Sequence, residues 1–289
     1  MSLQRPFAAA RGRSWRQHSA LPGFGLTIGF ALTYMGLLIV VPLAGLVIYS
    51  GGQTPLEFWR AATDERVLVS YWVSFSTSLA AAMINAVFGT IVAWCLVRYD
   101  FPGRRLLDAM VDLPFALPTA VSGIALTTLF ASSGLLGQWL EPLGIQVAFT
   151  RLGIVVALTL ISMPFVVRTL QPAIEELDLA LEEASASMGA DRWTTLRKVV
   201  MPMLLPALVT GFTLAFARAL GEFGSVIFIA GNIPFQTEIA PLLIVIKLEQ
   251  FDYLGATAIA TTMMVASLAL LVVINLLQAW HRRRTGLGQ

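Results

Sequence analysis

From Phe24 to Tyr49 the chain runs for 26 residues without a charged side chain. That is enough for a helix to cross the ~30 Å hydrocarbon layer of a bilayer. A spanning segment must satisfy its own backbone hydrogen bonds, because lipid supplies no partners. This constraint dictates everything that follows, because the run is repeated. Tyr71–Val97, Leu113–Gly137 and Tyr253–Trp280 are uncharged over comparable lengths. Leu152–Val167 is shorter, followed by Arg168 and Pro172, and Val199–Gly231 is interrupted by Arg218 and Glu222. The composition agrees: 57% of residues are hydrophobic and 12% charged, against about 25% charged in soluble domains. The expectation is an all-α membrane protein with six transmembrane helices.

Lysine and arginine in the loops set the orientation of such a bundle. Counting Arg5, Arg11, Arg13, Arg16, Arg98, Arg104, Arg105, Arg168, Arg192, Arg197, Lys198 and Arg282–Arg284 on one side leaves Arg60, Arg66, Arg151 and Lys247 on the other, fourteen against four. Both termini are therefore expected in the cytoplasm. The basic N-terminus resembles the start of a signal peptide, but the apolar stretch behind it is longer than a cleavable core, so it reads as an uncleaved first span. The chain divides into a cytoplasmic segment 1–23, a first transmembrane helix 24–49, a five-helix core 71–280 and a tail 281–289.

Several chemistries lack their residues. The two lysines, Lys198 and Lys247, are each followed by an apolar residue, so no phosphate-binding loop ending in Gly-Lys-Ser/Thr is present. His18 and His281 lie in the terminal tails, and Cys95 is the single cysteine, expected as a small packing residue within the second span. Neither a metal set nor a nucleophile–base pair can be assembled from these, and no catalytic residue is expected. The net charge of +2 does not mark a nucleic-acid partner.

One polar stretch stands between the apolar runs. Ile174, Leu177, Leu181, Ala184 and Met188 follow the spacing of one helical face, with Glu175, Glu176, Asp178, Glu182 and Glu183 opposite. Gly189 can end that helix in a left-handed conformation, and Asp191 can cap the next, which begins RWTTLRKVV. A helix, a tight turn and a second helix are predicted. An amphipathic loop lying on the bilayer would show the same spacing.

The loop resembles the cytoplasmic motif of ABC importer permeases, E-A-A, three residues, G, nine residues, I-x-L-P. Glu183, Ala184 and Ser185, then Gly189, then Val199, Met201 and Pro202 stand at those intervals. The departures are Ser185 for the second Ala, Val199 for Ile and Met201 for Leu. In that family the loop, here 173–202, is a coupling helix that docks on a separate ATP-binding subunit, which would place ATP on another chain and leave this one without a cofactor. RYDFPGRRLLDAMVDLPFALPTAVSGIAL, FARALGEFGSVIFIAGN and EIAPLLIVIKLEQFDY extend the likeness, which resembles the T-type permeases of bacterial sulfate/thiosulfate importers. The resemblance implies a type I importer of the bacterial inner membrane, with a dimer of ATP-binding subunits, a second, W-type permease, a periplasmic binding protein and surrounding lipid as partners. Molybdate or tungstate permeases share the ARALGEFG-like stretch. A secondary anion transporter would instead require intramembrane carboxylates, often in inverted repeats.

Four residues are candidates for the pathway. Pro114 and Pro118 should kink or open the third span, either to line a cavity or simply to pack closely. Arg218 lies in the fifth span with Glu222 one turn on, so the pair either braces the bundle or offers a guanidinium to a passing dianion. Asn85 is expected as interhelical glue. Ile239–Leu248, too short to span, should form an outer re-entrant or interfacial helix. Glu57, Asp64, Glu65, Arg66 and Glu238 are possible docking charges or merely solvated ones.

Overall fold

The computed structural model describes residues 24–52 and 54–284. The basic segment 1–23 and the side chains of Arg282–Arg284 lie outside that description. Among the described residues the regular structure is entirely helical. The chain divides into two units, one ending at Ile48 and the other beginning at Tyr49. The described part of the first is helical, α1 (Phe24–Met35) continuing through a π-helical turn (Gly36–Val40) into α2 (Val41–Gly51), whose residues 49–51 belong to the second unit. Pro42 is the second residue of α2, and its missing N–H and ring relax the hydrogen-bond ladder behind it.

The second unit opens with α3 (Pro55–Ala62), α4 (Glu65–Arg98), α5 (Arg104–Ala116) and α6 (Thr119–Phe130). It continues with the short α7 (Gly137–Leu140), then α8 (Arg151–Glu175), α9 (Leu179–Ser187) and α10 (Arg192–Thr195). A second π-helical turn, Leu196–Val200, just before Pro202, leads into α11 (Met201–Leu220), and α12 (Val226–Ile229), α13 (Ala240–Glu249) and α14 (Tyr253–Arg284) complete it. Among the described residues five helices are long and apolar enough to cross a membrane, and α5 with α6 makes a sixth span if the bent pair counts as one.

The core of this unit is built by α4, α8 and α11 packing on one another. Ala82, Ala93 and Leu96 of α4 meet Val166, Val167 and Leu170 of α8 and Leu204, Ala215 and Phe216 of α11. Small residues bring the backbones close, as expected where van der Waals contact drives association. A Cβ on Gly89 would sit 3.0 Å from Val166 Cγ1, so the α4–α8 crossing would accept even a methyl group there only if Val166 gave way by a few tenths of an ångström. Asn85, fully buried, donates to Thr159 O at 3.0 Å and to Ser162 Oγ at 2.9 Å, which makes it the interhelical bond anticipated for it.

Three spans differ from expectation. The third, expected to be kinked or opened near its prolines, is opened completely into two helices meeting at 113°. Pro118 has no N–H and forces Leu117 into an extended conformation, which ends α5 outright. The fourth does not stop at Val167. It runs through Arg168 and Pro172 to Glu175, because the Arg168 guanidinium is neutralised in place by α5, donating to Asp108 Oδ1 at 2.6 Å and to Asp112 Oδ1 at 2.8 Å. The fifth ends at Leu220, eleven residues before the expected limit at Gly231. The short helix expected over 239–248 is α13, displaced by one residue.

Candidate coupling loop and pathway residues

The loop between α8 and α11 is two helices joined by a tight turn, with one correction to the sequence reading. Ile174 and Leu177 do not share a helix with Leu181, because α8 ends at Glu175 and Asp178 caps a new helix by accepting from Ala180 N at 2.9 Å. Ile174 and Leu177 are buried in the core, whereas Leu181, Ala184 and Met188 of the same predicted face are exposed, Met188 at 83%. The break lets α9 turn its apolar positions outward rather than into its own chain.

α9 closes where expected. Gly189 has φ +84° and its N–H donates to Ala186 O at 2.9 Å, a left-handed turn that a β-carbon would strain. Asp191 then caps α10, accepting from Thr194 N at 3.3 Å, and its interactions with the Thr194 side chain first and the backbone N–H second hold its carboxyl below the usual carboxylate range. The two arms are pinned by Ser185 Oγ and Thr195 Oγ1, 2.9 Å apart, so the departure from alanine at Ser185 has a structural use. Glu183, Ala184, Gly189, Met201 and Pro202 are exposed, and Val199 is half-buried within the π-helical turn. Leu179 and Trp193 add exposed apolar area to this surface, at 57% and 66%.

The pathway candidates fall into two groups. Pro114 is buried and Pro118 exposed at the break between α5 and α6. A methyl group on Gly123, in the second turn of α6, would overlap the Ser225 carbonyl, so the segment following α11 lies directly on the start of α6. Arg218 is in the last turn of α11 rather than deep in a span, and Glu222 lies beyond the helix end. The two still meet, Arg218 Nη1 donating to Glu222 Oε2 at 2.5 Å. Glu222 is 3% exposed, and its other oxygen accepts from Ser225 N at 2.9 Å and Ser225 Oγ at 3.0 Å. The carboxylate therefore organises the turn, as a buried charge must be paired and hydrogen-bonded to persist. Arg218 keeps Nε and Nη2 without a protein acceptor among the described residues, and its side chain is 32% exposed.

The possible docking charges resolve differently. Glu57 completes a capping box with Thr54, and Asp64 caps α4. Glu238 is neither solvated nor available for docking. It is 2% exposed and held by the fork of Arg66, Nε to Oε2 at 2.8 Å and Nη2 to Oε1 at 2.7 Å. Sequence carries no local signal for that pair, whose members are 172 positions apart. Among the described residues no group of three or more His, Cys, Asp or Glu side chains could hold a metal ion.

An organised polar loop exposing apolar positions thus stands between helices long and apolar enough to cross a membrane. Residues 85–287 match the family of the inner membrane component of binding-protein-dependent transport systems, and the chain belongs to it. Its architecture is that of an ABC type I importer permease. More particularly, the chain is similar to the sulfate transport system permease protein CysT of Escherichia coli K12, 49% identical over 264 residues, 91% of this chain and 95% of that one. It is 51% identical over 255 residues to the probable sulfate transport system permease protein cysT of Nephroselmis olivacea, covering 88% of this chain and 90% of the relative. Among solved structures, a bacterial ABC transporter involved in the import of alginate superposes with a TM-score of 0.72 at 16% identity, over 88% of this chain and 94% of that one.

Proposed function

We propose that this chain is one of two permease subunits of an ATP-driven importer for sulfate or thiosulfate, working with a W-type permease, a pair of ATP-binding subunits and a periplasmic binding protein. The observation that carries the substrate is near-50% identity, over about nine-tenths of each chain, to permeases named for sulfate transport. The partner assignment is supported by the loop at 173–202, which exposes Leu179, Met188 and Trp193 on a rigidly capped pair of helices. The subunit contributes no catalytic group and binds no cofactor; ATP is hydrolysed on the partner. Both termini and the coupling loop face the cytoplasm, the side favoured by the loop charges. Arg218, with its one free edge, offers transient attraction to the dianion near the end of α11, and Glu222 keeps the local charge low enough for release.

The test is uptake of radiolabelled sulfate into proteoliposomes holding all four kinds of subunit. Uptake should require ATP and the binding protein and disappear when the phosphate-loop lysine of the ATP-binding subunit is replaced. Uptake that persists without hydrolysis would mark a secondary transporter. Competition by molybdate at equal concentration would move the substrate assignment to that anion.

A further inference from the structure

Arg98, the last residue of α4, reaches across to the candidate coupling helix. Its Nη2 donates to Glu182 Oε1 at 2.7 Å, the ion pair that joins α9 to the packed core among the described residues. Its side chain is 15% exposed and its guanidinium lies 5.2 Å from the Trp94 ring centroid, one turn back on the same helix. The cation also sits at the C-terminus of α4, where the helix dipole favours it. Arg98 is thus held in place from its own side.

The contact is half made. Nε of Arg98 is closed to solvent and has no acceptor, while Glu182 Oε2 receives no hydrogen bond among the described residues. An arginine edge and a carboxylate match in spacing and ordinarily form two parallel bonds. The same molecule shows the completed form at Arg66–Glu238, where Nε and Nη2 each meet one oxygen. A buried guanidinium N–H without a partner is unfavourable, so a small displacement of α9 that brought Oε2 onto Nε would be rewarded.

We propose that Arg98 and Glu182 form a two-position strut, one-pronged as seen and two-pronged when the ATP-binding partner displaces α9, so that the movement passes directly to α4 as well as through the covalent connections to α8 and α11. Arg98 is a positioning residue in this scheme, which rests on the coupling reading above. Arg98→Lys keeps a single-bond ion pair, and Glu182→Gln keeps a single charge-assisted hydrogen bond to its one amide oxygen, so each lacks the second prong. Assembly and ATP hydrolysis should stay within about twofold of wild type, because the contact present in the resting position survives. Sulfate uptake per ATP hydrolysed should fall about tenfold, the worth of one charge-assisted hydrogen bond.

Spin labels at the exposed positions Tyr99 and Met188 should report two separations on ATP binding in the wild-type complex and a single, resting one in either variant. An unchanged uptake-to-hydrolysis ratio, or two separations in both variants, overturns the strut. Uptake and hydrolysis falling together with loss of the ATP-binding subunits would also overturn it, reducing the pair to a docking brace. The label measurement makes no reference to substrate. A chain that moves another anion therefore fails the functional reading alone, and wild-type co-purification with the ATP-binding subunits checks the coupling reading separately.

Discussion

Replacing Arg218 and Glu222 separately and together distinguishes a brace from a pathway residue. Glu222 satisfies three donors, Arg218 Nη1, Ser225 N and Ser225 Oγ, from a site that is 3% exposed. Glu222→Ala removes all three acceptor contacts at once. It orphans the buried Ser225 N–H and leaves the cation uncompensated, so a loss of about 3–5 kcal/mol follows, in line with breaking one side of a buried pair. Arg218→Met leaves the carboxylate with its two serine bonds but no counter-charge, at about 2–3 kcal/mol. The double variant Arg218→Met with Glu222→Gln is different. The glutamine carbonyl can still accept from both Ser225 donors, and no unpaired charge remains, so the cost should be within about 1 kcal/mol. The order is read from unfolding midpoints in detergent at one fixed scan rate, because membrane proteins unfold irreversibly and the midpoint depends on that rate. The double variant should therefore assemble with normal basal ATP hydrolysis, yet lose sulfate uptake, if the free guanidinium edge serves the anion as proposed. Retained uptake in an assembled double variant refutes the role of Arg218 toward the anion and leaves the pair a brace.

Three other outcomes follow from the geometry. Gly189→Val places a β-branched side chain at φ +84°, straining the turn by about 1–2 kcal/mol; co-purification with the ATP-binding subunits and uptake should both drop while membrane insertion does not, and wild-type values would remove the loop from coupling. Reporter fusions at Gly51, Gly137 and Gly231 should signal the periplasm, and a cytoplasmic signal at two of them rejects the proposed orientation. Asp252 is held below the usual carboxylate range first by Lys247 Nζ at 2.8 Å and then by Gly255 N–H at 2.9 Å. A depressed folded pKa contributes stability that is complete above the ordinary aspartate value of about 4 and lost as pH falls through the lower folded value. Exchange protection of the Gly255 amide, corrected for intrinsic rates, should therefore be constant from pH 7 to about 5 and decline only below about 4. A decline already complete at pH 6 would contradict the pairing.

The helical class, the number of apolar segments and the local architecture of the loop were legible because each depends on residues a few positions apart. Uncharged length settles what can span, and Gly189 and Asp191 end and begin helices through their own backbone and side-chain geometry. Pro118 marked a disturbance correctly, but its size did not follow from the residue. A proline permits either a kink or a break, and the 113° turn depends on how α6 packs against the segment after α11. Arg168 looked like the end of a span because a charge in an apolar run is costly alone, and only Asp108 and Asp112, 60 and 56 residues away, make it tolerable within α8. Glu222 looked helical because Arg218 precedes it by one turn, while the tertiary fold ends α11 at Leu220 and gives the carboxylate to Ser225. Arg66–Glu238 and Arg98–Glu182 have no counterpart in any local pattern. Sequence by itself determined which segments must be helices and where they could turn; tertiary structure decided which charges are neutralised, because pairing energy depends on distance through space and burial rather than on separation along the chain.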